Sequence, residues 1–221
     1  MKGALFFDLD GTLFDTREDL ASTVNHVRSD LGLSPISTAE VISHVGSGAR
    51  HLLKGAIPES DKPFEDLWKI FSSRYREHCC ENLIPYEGVE ETLEELSRRG
   101  WKLAINTNKP RFAVDPILEK FSLARFFGNA IVAGGEGIAL KPDVQSIREC
   151  ALRLGHELSS NDWMIGDSWN DMRCAENAGV RGAFCRFGFG ELDGAPFDLE
   201  IFAFSDIPDA IENFYHTSVL V

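Results

Sequence analysis

Positive charge and long apolar stretches are both scarce in this sequence of 221 residues. Lysine and arginine together number 22 against 35 aspartates and glutamates, which gives a formal net charge of −13. Nucleic acids and anionic membranes bind clustered positive charge, so we expect neither as a partner. The chain has no apolar run of about 18 residues, the length that a membrane-spanning helix requires. An anionic substrate is still compatible with this composition, because a metal ion and a few local cations outweigh a distant negative field.

Cysteine pairing motifs and secretion signals are absent as well. The five cysteines are odd in number and none has the CxxC spacing, so the sequence predicts neither a disulfide framework nor a zinc site. The sequence has no Asn-x-Ser/Thr acceptor for glycosylation, and the apolar stretch at residues 3–7 is too short for a signal peptide. We therefore expect a reduced, cytoplasmic environment.

The chain does contain the apolar residues of a globular protein, at 43% of the sequence, with 26% charged residues. Residues 5–9 are a short apolar run that predicts a buried strand, and residues 15–86 show helical spacing of apolar side chains. After residue 86 helices and strands alternate, which indicates a parallel sheet covered by helices on both faces. We predict an α/β core made of residues 1–14 and 87–221, with an all-helical insert at 15–86. The later strands of the core are predicted at about 102–106, 129–133, 163–165 and 182–185.

Asp8 and Asp10 end the first predicted strand, within the sequence DLDGT. In an extended segment they point the same way, because side chains alternate with a period of two. Neighbouring carboxylates repel, so the pair is costly unless a cation or a shared proton joins them, and oxygen ligands suit Mg²⁺. The alternative interpretation is a solvated strand end with a capping carboxylate.

Two further strand ends carry groups that suit a phosphate. Thr107 and Asn108 follow the strand at 102–106, where a hydroxyl and exposed backbone amides form a natural phosphate seat. Alternatively, Thr107 caps the following helix. Lys141 follows a glycine-rich loop and precedes Pro142, which suits the start of a helix. Its ammonium can hold a phosphoryl group as a point charge, and the alternative is an ordinary surface lysine.

A second pair of acids follows the strand at 163–165. Asp167 lies at the strand end and Asp171 lies four residues on, in the first turn of the next helix. Such a pair supplies one direct metal ligand and one outer acceptor. The alternative is acidic charge that complements a helix dipole.

The order of these motifs, DxD, Thr, Lys and DxxxD at four strand ends, resembles the haloacid dehalogenase superfamily of phosphohydrolases. The resemblance implies a Rossmann-like three-layer core, and the insert at 15–86 is similar to the helical first-type cap of that superfamily. The run GDSxxD at 166–171 looks like the subgroup that contains phosphoglycolate phosphatase.

The resemblance implies catalytic roles for three aspartates. Asp8 is the expected nucleophile, which forms an aspartyl-phosphate, and Asp10 is the expected general acid and base. Mg²⁺ is expected on an Asp8 oxygen, the Asp10 backbone carbonyl and Asp167. An acid at the position of Asp10 is absent from members that break carbon–halogen or carbon–phosphorus bonds, so its presence favours phosphate esters.

The same resemblance implies binding roles for the other motif residues. Thr107, the Asn108 backbone and Lys141 are expected to hold the phosphoryl oxygens, and Asp171 to orient Lys141 or a metal-bound water. In the insert, the GSGAR loop is similar to the cap loop that faces the active site. Arg50 of this loop is expected to pair with a substrate carboxylate, and the alternative is a solvent-facing arginine at the start of a helix.

These assignments predict a Mg²⁺-dependent phosphatase of a small phosphorylated metabolite, with phosphoglycolate first, acting as a monomer or a homodimer. The alternatives are a sugar phosphomutase of the β-phosphoglucomutase type and a phosphatase for a nucleoside monophosphate or pyrophosphate. A phospho-aspartate receiver module is a further alternative, against which the insert and Asp10 argue. We interpret Phe14 and Phe189 as core residues, and Lys109 as a source of local positive field only.

Overall fold

A computed structural model describes residues 2–218 of the chain, with the side chains of residues 2–216. The strands, numbered in chain order, are β1 (Ala4–Phe7), β2 (Phe14–Asp15), β3 (Ile84–Pro85), β4 (Lys102–Pro110), β5 (Ile131–Gly134), β6 (Trp163–Gly166), β7 (Arg181–Cys185) and β8 (Leu199–Ile201). The α-helices are α1 (Arg17–Asp30), α2 (Thr38–Ile42), α3 (Ala49–Ala56), α4 (Phe64–His78), α5 (Val89–Arg98), α6 (Arg111–Lys120), α7 (Ala124–Phe127), α8 (Val144–Arg153), α9 (Trp169–Ala178) and α10 (Ile207–Ser218). None of these described helices is long and apolar enough to cross a membrane.

Six strands form one parallel sheet in the order β5-β4-β1-β6-β7-β8. Both faces of the sheet are buried, which explains why the strands are almost continuously apolar. Side chains alternate across β1, so Leu5 and Phe7 pack on one face with α5, α6 and α10, while Ala4 and Phe6 pack on the other with α8 and α9. The result is the predicted three-layer α/β core of the Rossmann-like type.

The C-terminal part of β4 differs from the prediction. The strand continues to Pro110 instead of ending at 106, so Thr107 and Asn108 lie in the strand itself. The register between β4 and β5 shifts over this stretch. A β-carbon on Gly134 of β5 would lie 2.8 Å from the Asn108 carbonyl oxygen, so the close approach of the two backbones requires glycine.

The predicted strands and helices of the core are otherwise present, with ends that move by one or two residues. Two elements after Cys185 were not predicted from the sequence. Strand β8 has only three residues, two of them half-buried, so its alternation is too short to recognise. Helix α10 follows it and packs Ile207 and Ile211 on the face of the sheet that also carries α5.

Helices α1–α4, which we call the cap helices, pack around a hydrophobic cluster of their own. Its largest buried members are Phe71 and Tyr75 of α4, which meet Val24 and Val27 of α1. Residues at the start of core helix α6, among them Phe112, pack against the same cluster. The insert is not entirely helical as expected, because β2 and β3 pair antiparallel at its base, with Phe14 opposite Pro85. The two segments that connect the core to the cap helices thereby satisfy each other's backbone hydrogen-bonding groups.

Asp19 in the first turn of α1 joins the two segments that connect the core to the cap helices. Its buried carboxylate accepts hydrogen bonds from the Asn82 backbone N–H (2.7 Å), the Asn82 side-chain amide (3.1 Å) and the Leu83 N–H (3.1 Å). The segment that returns to the core is therefore fixed to α1 by one side chain.

We expect Asp19→Ala to lower the free energy of unfolding by about 2 to 3 kcal/mol, because three donors lose a buried acceptor. Urea denaturation followed by circular dichroism measures this change. The control is Glu18→Ala, an exposed neighbour on the same turn, which should stay within about 0.5 kcal/mol of the wild type. Equal losses in the two variants would contradict the anchoring role.

Candidate active site

The carboxyl ends of β1, β4 and β6 lie side by side in the middle of the sheet. The chain builds outward from β1 through β4 to β5, then returns to β6 on the other side. Ligand crevices of open parallel sheets lie at this point, where the strand order reverses. Asp8 follows β1, Thr107 lies near the end of β4, and Asp167 follows β6, so the fold gathers motifs that are far apart in sequence.

A cavity of about 520 Å³ opens between these strand ends and the cap helices. From the core it is lined by five of the predicted residues, namely Asp8, Asp10, Thr107, Asn108 and Asp167. From the cap it is lined by apolar side chains and by small residues of the loop before α3, namely Leu20, Ile42, Val45, Gly46, Gly48, Leu52 and Phe71. The two remaining motif residues, Lys141 and Asp171, are buried beside this cavity.

Lys141 joins two of the predicted aspartates. Its ammonium lies 2.8 Å from Asp8 Oδ1 and 2.6 Å from Asp171 Oδ1, and its side chain is 1% exposed. Burial alone lowers the pKa of a lysine, but the attraction of these two carboxylates outweighs it and raises the pKa of Lys141 above its usual range. Lys141 is thus a buried cation and not the surface lysine of the alternative interpretation.

Asp171 has both carboxylate oxygens engaged within the protein. Oδ1 accepts from Lys141, and Oδ2 accepts from the Ser168 backbone N–H (3.0 Å) and hydroxyl (2.6 Å). A β-carbon on Gly166 would lie 2.2 Å from the Asp171 carboxyl carbon, so the strand end requires glycine there. A carboxylate with this many protein partners suits the outer position expected for Asp171, where it orients Lys141.

Asp167 has one oxygen held by the backbone. Its Oδ2 accepts hydrogen bonds from the N–H groups of Phe189 (2.9 Å) and Gly190 (2.7 Å), which come from the loop after β7. Gly11 permits the turn after Asp10 to approach, since its φ is +78° and a β-carbon there would lie 1.9 Å from the same Asp167 oxygen. This packing leaves Oδ1 of Asp167 as the oxygen available to a cation.

The donor set fits a hard divalent cation such as Mg²⁺. Carboxylate oxygens of Asp8, Asp167 and Asp171 all lie within 4.8 Å of one another, and all three residues are buried. Burial, joined by the repulsion of Asp171 and Asp10 and opposed by Lys141, raises the pKa of Asp8 to about 6. Burial and the charges of Asp171 and Asp8 raise the pKa of Asp167 well above its usual range. Such crowding of carboxylates is relieved when a cation binds, and oxygen is the ligand that Mg²⁺ prefers.

Comparison with known proteins supplies the family. The model of the haloacid dehalogenase-like hydrolases matches residues 5–185. The chain belongs to the haloacid dehalogenase-like hydrolase family.

The relatives of this hydrolase are phosphatases, which act as phosphoric monoester hydrolases. A phosphoglycolate phosphatase of Agrobacterium fabrum is 37% identical over 193 residues, which cover 84% of this chain and 81% of the relative. An N-acetylmuramic acid 6-phosphate phosphatase of Pseudomonas aeruginosa is 32% identical over 188 residues, at 84% and 82% coverage. The crystal structure of a predicted phosphoglycolate phosphatase from Haemophilus somnus superimposes with a TM-score of 0.86 at 29% identity, covering 93% of this chain and 96% of the other. The enzyme class and the resemblance stated from the sequence are thereby confirmed.

The Asn108 side chain makes contacts that the sequence did not suggest, and the expected contact of its backbone with a phosphoryl group stays a prediction. Its side chain donates to the carbonyl oxygens of Gly46 (2.9 Å) and Lys141 (3.0 Å) and accepts from the Lys141 N–H (2.9 Å). It therefore joins the cap loop to the loop that carries Lys141. Thr107, 3% exposed, accepts from the Lys109 N–H (3.2 Å) and lines the cavity, as a phosphate seat requires.

For Arg50 the structure agrees with the alternative interpretation, a solvent-facing arginine at the start of a helix, and for Phe189 it differs from the expectation. Arg50 does not line the cavity: its guanidinium lies 3.7 Å from the centre of the Phe64 ring and 3.7 Å from Glu65, with 68% of the side chain exposed. Its place at the start of α3 directs the side chain along the outside of the cap, where an aromatic face and an acid hold it.

Phe189 is not a core residue but lines the cavity, because its backbone N–H is bound to Asp167. Phe14 is fully buried, as expected.

Two cations also line the cavity: Arg17, which sequence reasoning missed, and Lys109, from which it expected only a local positive field. Lys109 is buried, with its ammonium 2.7 Å from Asp10 Oδ1 and in contact with the Tyr75 hydroxyl of α4. Arg17 pairs with Asp15 through two hydrogen bonds, at 2.9 and 2.6 Å. Lys109 follows directly on Thr107 and Asn108, so its position was a signal. Arg17 had none, because a charge in the first turn of a helix is usually a solvated one.

The raised pKa values predict a pH-dependent response to Mg²⁺. Asp8 and Asp167 bind protons more tightly in the folded, metal-free protein than in the unfolded chain, where the usual value is 3.8. The contribution of Asp8 to stability is therefore complete below about pH 3.8 and is lost as the pH rises through about 6, and the contribution of Asp167 is likewise lost as the pH rises through its raised pKa. Mg²⁺ competes with these protons for the carboxylates. We expect Mg²⁺, relative to EDTA, to raise the thermal unfolding midpoint by several degrees more at about pH 7.5 than at about pH 5.

Differential scanning fluorimetry at the two pH values measures this difference. Asp167→Asn should abolish the Mg²⁺-dependent shift. The control, Asp193→Asn at the exposed rim of the same cavity, should keep it. A shift of the same size at both pH values in the wild type would contradict the proton competition.

Proposed function

We propose that this hydrolase is a Mg²⁺-dependent phosphatase that acts on a small phosphate monoester through an aspartyl-phosphate on Asp8, with phosphoglycolate as the first candidate. The observation that carries the proposal is the buried arrangement of Asp8, which is in contact with Lys141, lies in the cluster with Asp167, and opens on a cavity also lined by Asp10. The residues that we propose as nucleophile, acid and cation ligands thus lie around one cavity. We also propose that residues 15–86 act as the cap over this site.

In the first step, a carboxylate oxygen of Asp8 attacks phosphorus and the bond from phosphorus to the ester oxygen breaks. The leaving oxygen takes a proton from Asp10, so an alcohol departs and Asp8 carries the phosphoryl group. The Lys141 ammonium pairs with both Asp8 and Asp171. Asp171 therefore helps to hold Lys141 against Asp8. In this proposal Thr107, the Asn108 backbone and Lys141 hold the phosphoryl oxygens in this step.

In the second step, water attacks phosphorus and Asp10 accepts a proton from it. The bond between phosphorus and Asp8 breaks, which releases inorganic phosphate and restores the Asp8 carboxylate. Mg²⁺, held by Asp8, the Asp10 backbone carbonyl and Asp167, would neutralise negative charge on the phosphoryl oxygens when bound. Asp171 would keep Lys141 in place throughout.

Arg17 replaces Arg50 as the proposed group that recognises a substrate carboxylate. Among the described residues that line the cavity, Arg17 is the one arginine. Its side chain is 49% exposed at the cavity rim, lies 5.9 Å from the Phe189 ring, and is held in place by Asp15. A guanidinium fixed in this way is pre-organised for a second carboxylate from the ligand.

Most other candidate substrates are larger than phosphoglycolate and need more room in the cavity. A volume of about 520 Å³ is within the range of sites for larger metabolites, which makes N-acetylmuramic acid 6-phosphate, also an acid, the second candidate. Nucleoside monophosphates, pyrophosphate and sugar phosphates remain alternatives, the last through the phosphomutase reaction. We also propose a cytoplasmic location, which the five unpaired cysteines support, and a monomer or homodimer.

The first test is phosphate release from a panel of these compounds, with Mg²⁺ and with EDTA. We expect Mg²⁺-dependent release that is fastest from an acid, and a loss of at least about a thousandfold in kcat for Asp8→Asn, since the nucleophile is removed. The control Asp209→Asn changes an exposed acid on α10 and should leave kcat unchanged. Full activity of Asp8→Asn would rule out the covalent mechanism. Conversion of a sugar phosphate into its isomer, without phosphate release, would favour the mutase.

The substrate assignment makes a second prediction. Arg17→Ala should raise KM for phosphoglycolate by about tenfold or more, because a charged hydrogen bond to the carboxylate is lost, and should leave KM for p-nitrophenyl phosphate nearly unchanged. Arg50→Ala, outside the cavity, is the matched control and should change neither KM. The opposite result, a change in Arg50→Ala alone, would return specificity to the GSGAR loop.

A further inference from the structure

Lys109 forms a buried connection between the cap helices and Asp10. Its side chain is 1% exposed, and its ammonium contacts two oxygens, Asp10 Oδ1 at 2.7 Å and the hydroxyl of Tyr75. The ammonium also lies 4.9 Å from the centre of the Tyr75 ring. A buried ammonium is costly unless its protons are accepted by such partners, so both contacts are needed to keep Lys109 in this position.

The two buried lysines of the site divide the aspartates between them. Lys141 contacts Asp8 and Asp171, whereas Lys109 contacts Asp10. An ion pair to one oxygen fixes the rotation of a carboxylate, so Lys109 presents the second oxygen of Asp10 in one direction. General acid and base catalysis depends on that geometry before it depends on acidity.

Tyr75 belongs to the cap, and its position depends on how the cap is seated. Tyr75 is 1% exposed in α4, and the centre of its ring lies 5.2 Å from the centre of the Phe71 ring in the same helix. It also meets Phe112 of core helix α6 edge-on at 6.3 Å. The hydroxyl therefore reaches Lys109 only when α4 is packed against α6, as it is in this structure.

We propose that Lys109 is a positioning residue that holds the Asp10 carboxylate for proton transfer, and that Tyr75 makes this position depend on the seating of the cap. The proposal rests on the proposed function, because it assumes that Asp10 is the acid and base. It gives the cap a part in the chemical step, in addition to its part in lining the cavity.

A double-mutant cycle tests whether Tyr75 acts through Lys109. The variants are Lys109→Met, Tyr75→Phe, the double variant and Lys109→Arg, measured with saturating Mg²⁺ on phosphoglycolate or on the panel compound from which the wild type releases phosphate fastest. We expect Lys109→Met to lower kcat about a hundredfold with KM within about threefold, and Tyr75→Phe to lower kcat about tenfold. In the Lys109→Met background, Tyr75→Phe should cause no further loss. Lys109→Arg, which keeps the charge, should recover at least about tenfold of the kcat lost in Lys109→Met.

The matched controls are Lys102→Met and Tyr215→Phe, at the other end of the sheet. Lys102 donates to the carbonyl oxygens of Leu154 and Gly155, and the Tyr215 hydroxyl accepts from Trp163. Both variants should keep kcat within about twofold. Losses that are independent in the cycle, a change in KM alone, or no recovery by Lys109→Arg would overturn the positioning role.

A second arm needs no substrate. Urea unfolding of the same four proteins should show that Tyr75→Phe lowers the midpoint in the wild type, and much less in Lys109→Met. Independent shifts would overturn the link between the cap and Lys109. If the wild type releases phosphate from no compound in the panel, the proposed function fails, and the unfolding cycle still decides whether Tyr75 acts on Lys109.

Discussion

The balance of buried charge at the carboxyl edge of the sheet is the constraint on which the rest of the structure depends. Four aspartates meet there, and Lys141 and Lys109 are the buried ammonium groups in contact with them. Burial, together with the remaining negative charge, raises the pKa of Asp8 and Asp167, and this crowding favours the binding of a divalent cation. Charges at this density are tolerable only where each is held by fixed partners, so the surrounding loops are shaped to supply backbone donors and close contacts.

The glycines around Asp167 show how the backbone meets that demand. Gly11 comes from the turn after β1, whereas Gly188 and Gly190 come from the loop after β7, and a β-carbon at any of them would overlap Asp167 or its neighbours. Two loops that are distant in sequence thus enclose one carboxylate, and the loop after β7 donates two hydrogen bonds to it. The carboxylate cluster is consequently formed by backbone packing as much as by the acids themselves.

The cap and the core share the site more closely than an apolar lid would require. Three hydrogen bonds join the core to the cap, namely Asn108 to Gly46, Lys109 to Tyr75 and Asn170 to Ser47. Asn108 and Lys109 are adjacent in β4, so the strand that carries Thr107 also bears two of these contacts. Asp19 in turn joins α1 to the segment before β3, so the two chain segments between core and cap are fixed to each other.

The sequence by itself determined the core strands and the four motifs, because buried parallel strands are continuously apolar and the polar groups that end them are local features of the chain. It also located the acids, Thr107 and Lys141, since each directly follows a strand or a recognisable loop. Only the tertiary structure decided which way side chains on the cap point and which distant groups they meet. Arg50 lies outside the cavity because it packs on the Phe64 ring. Arg17 is held at the cavity by Asp15, and Lys109 is held there by its contact with Tyr75 of α4. The contacts of Arg50 with Phe64 and of Lys109 with Tyr75 join residues on different elements, and no local spacing encodes them. The pair of Arg17 with Asp15 is local, but only the packed fold decides that it borders the cavity.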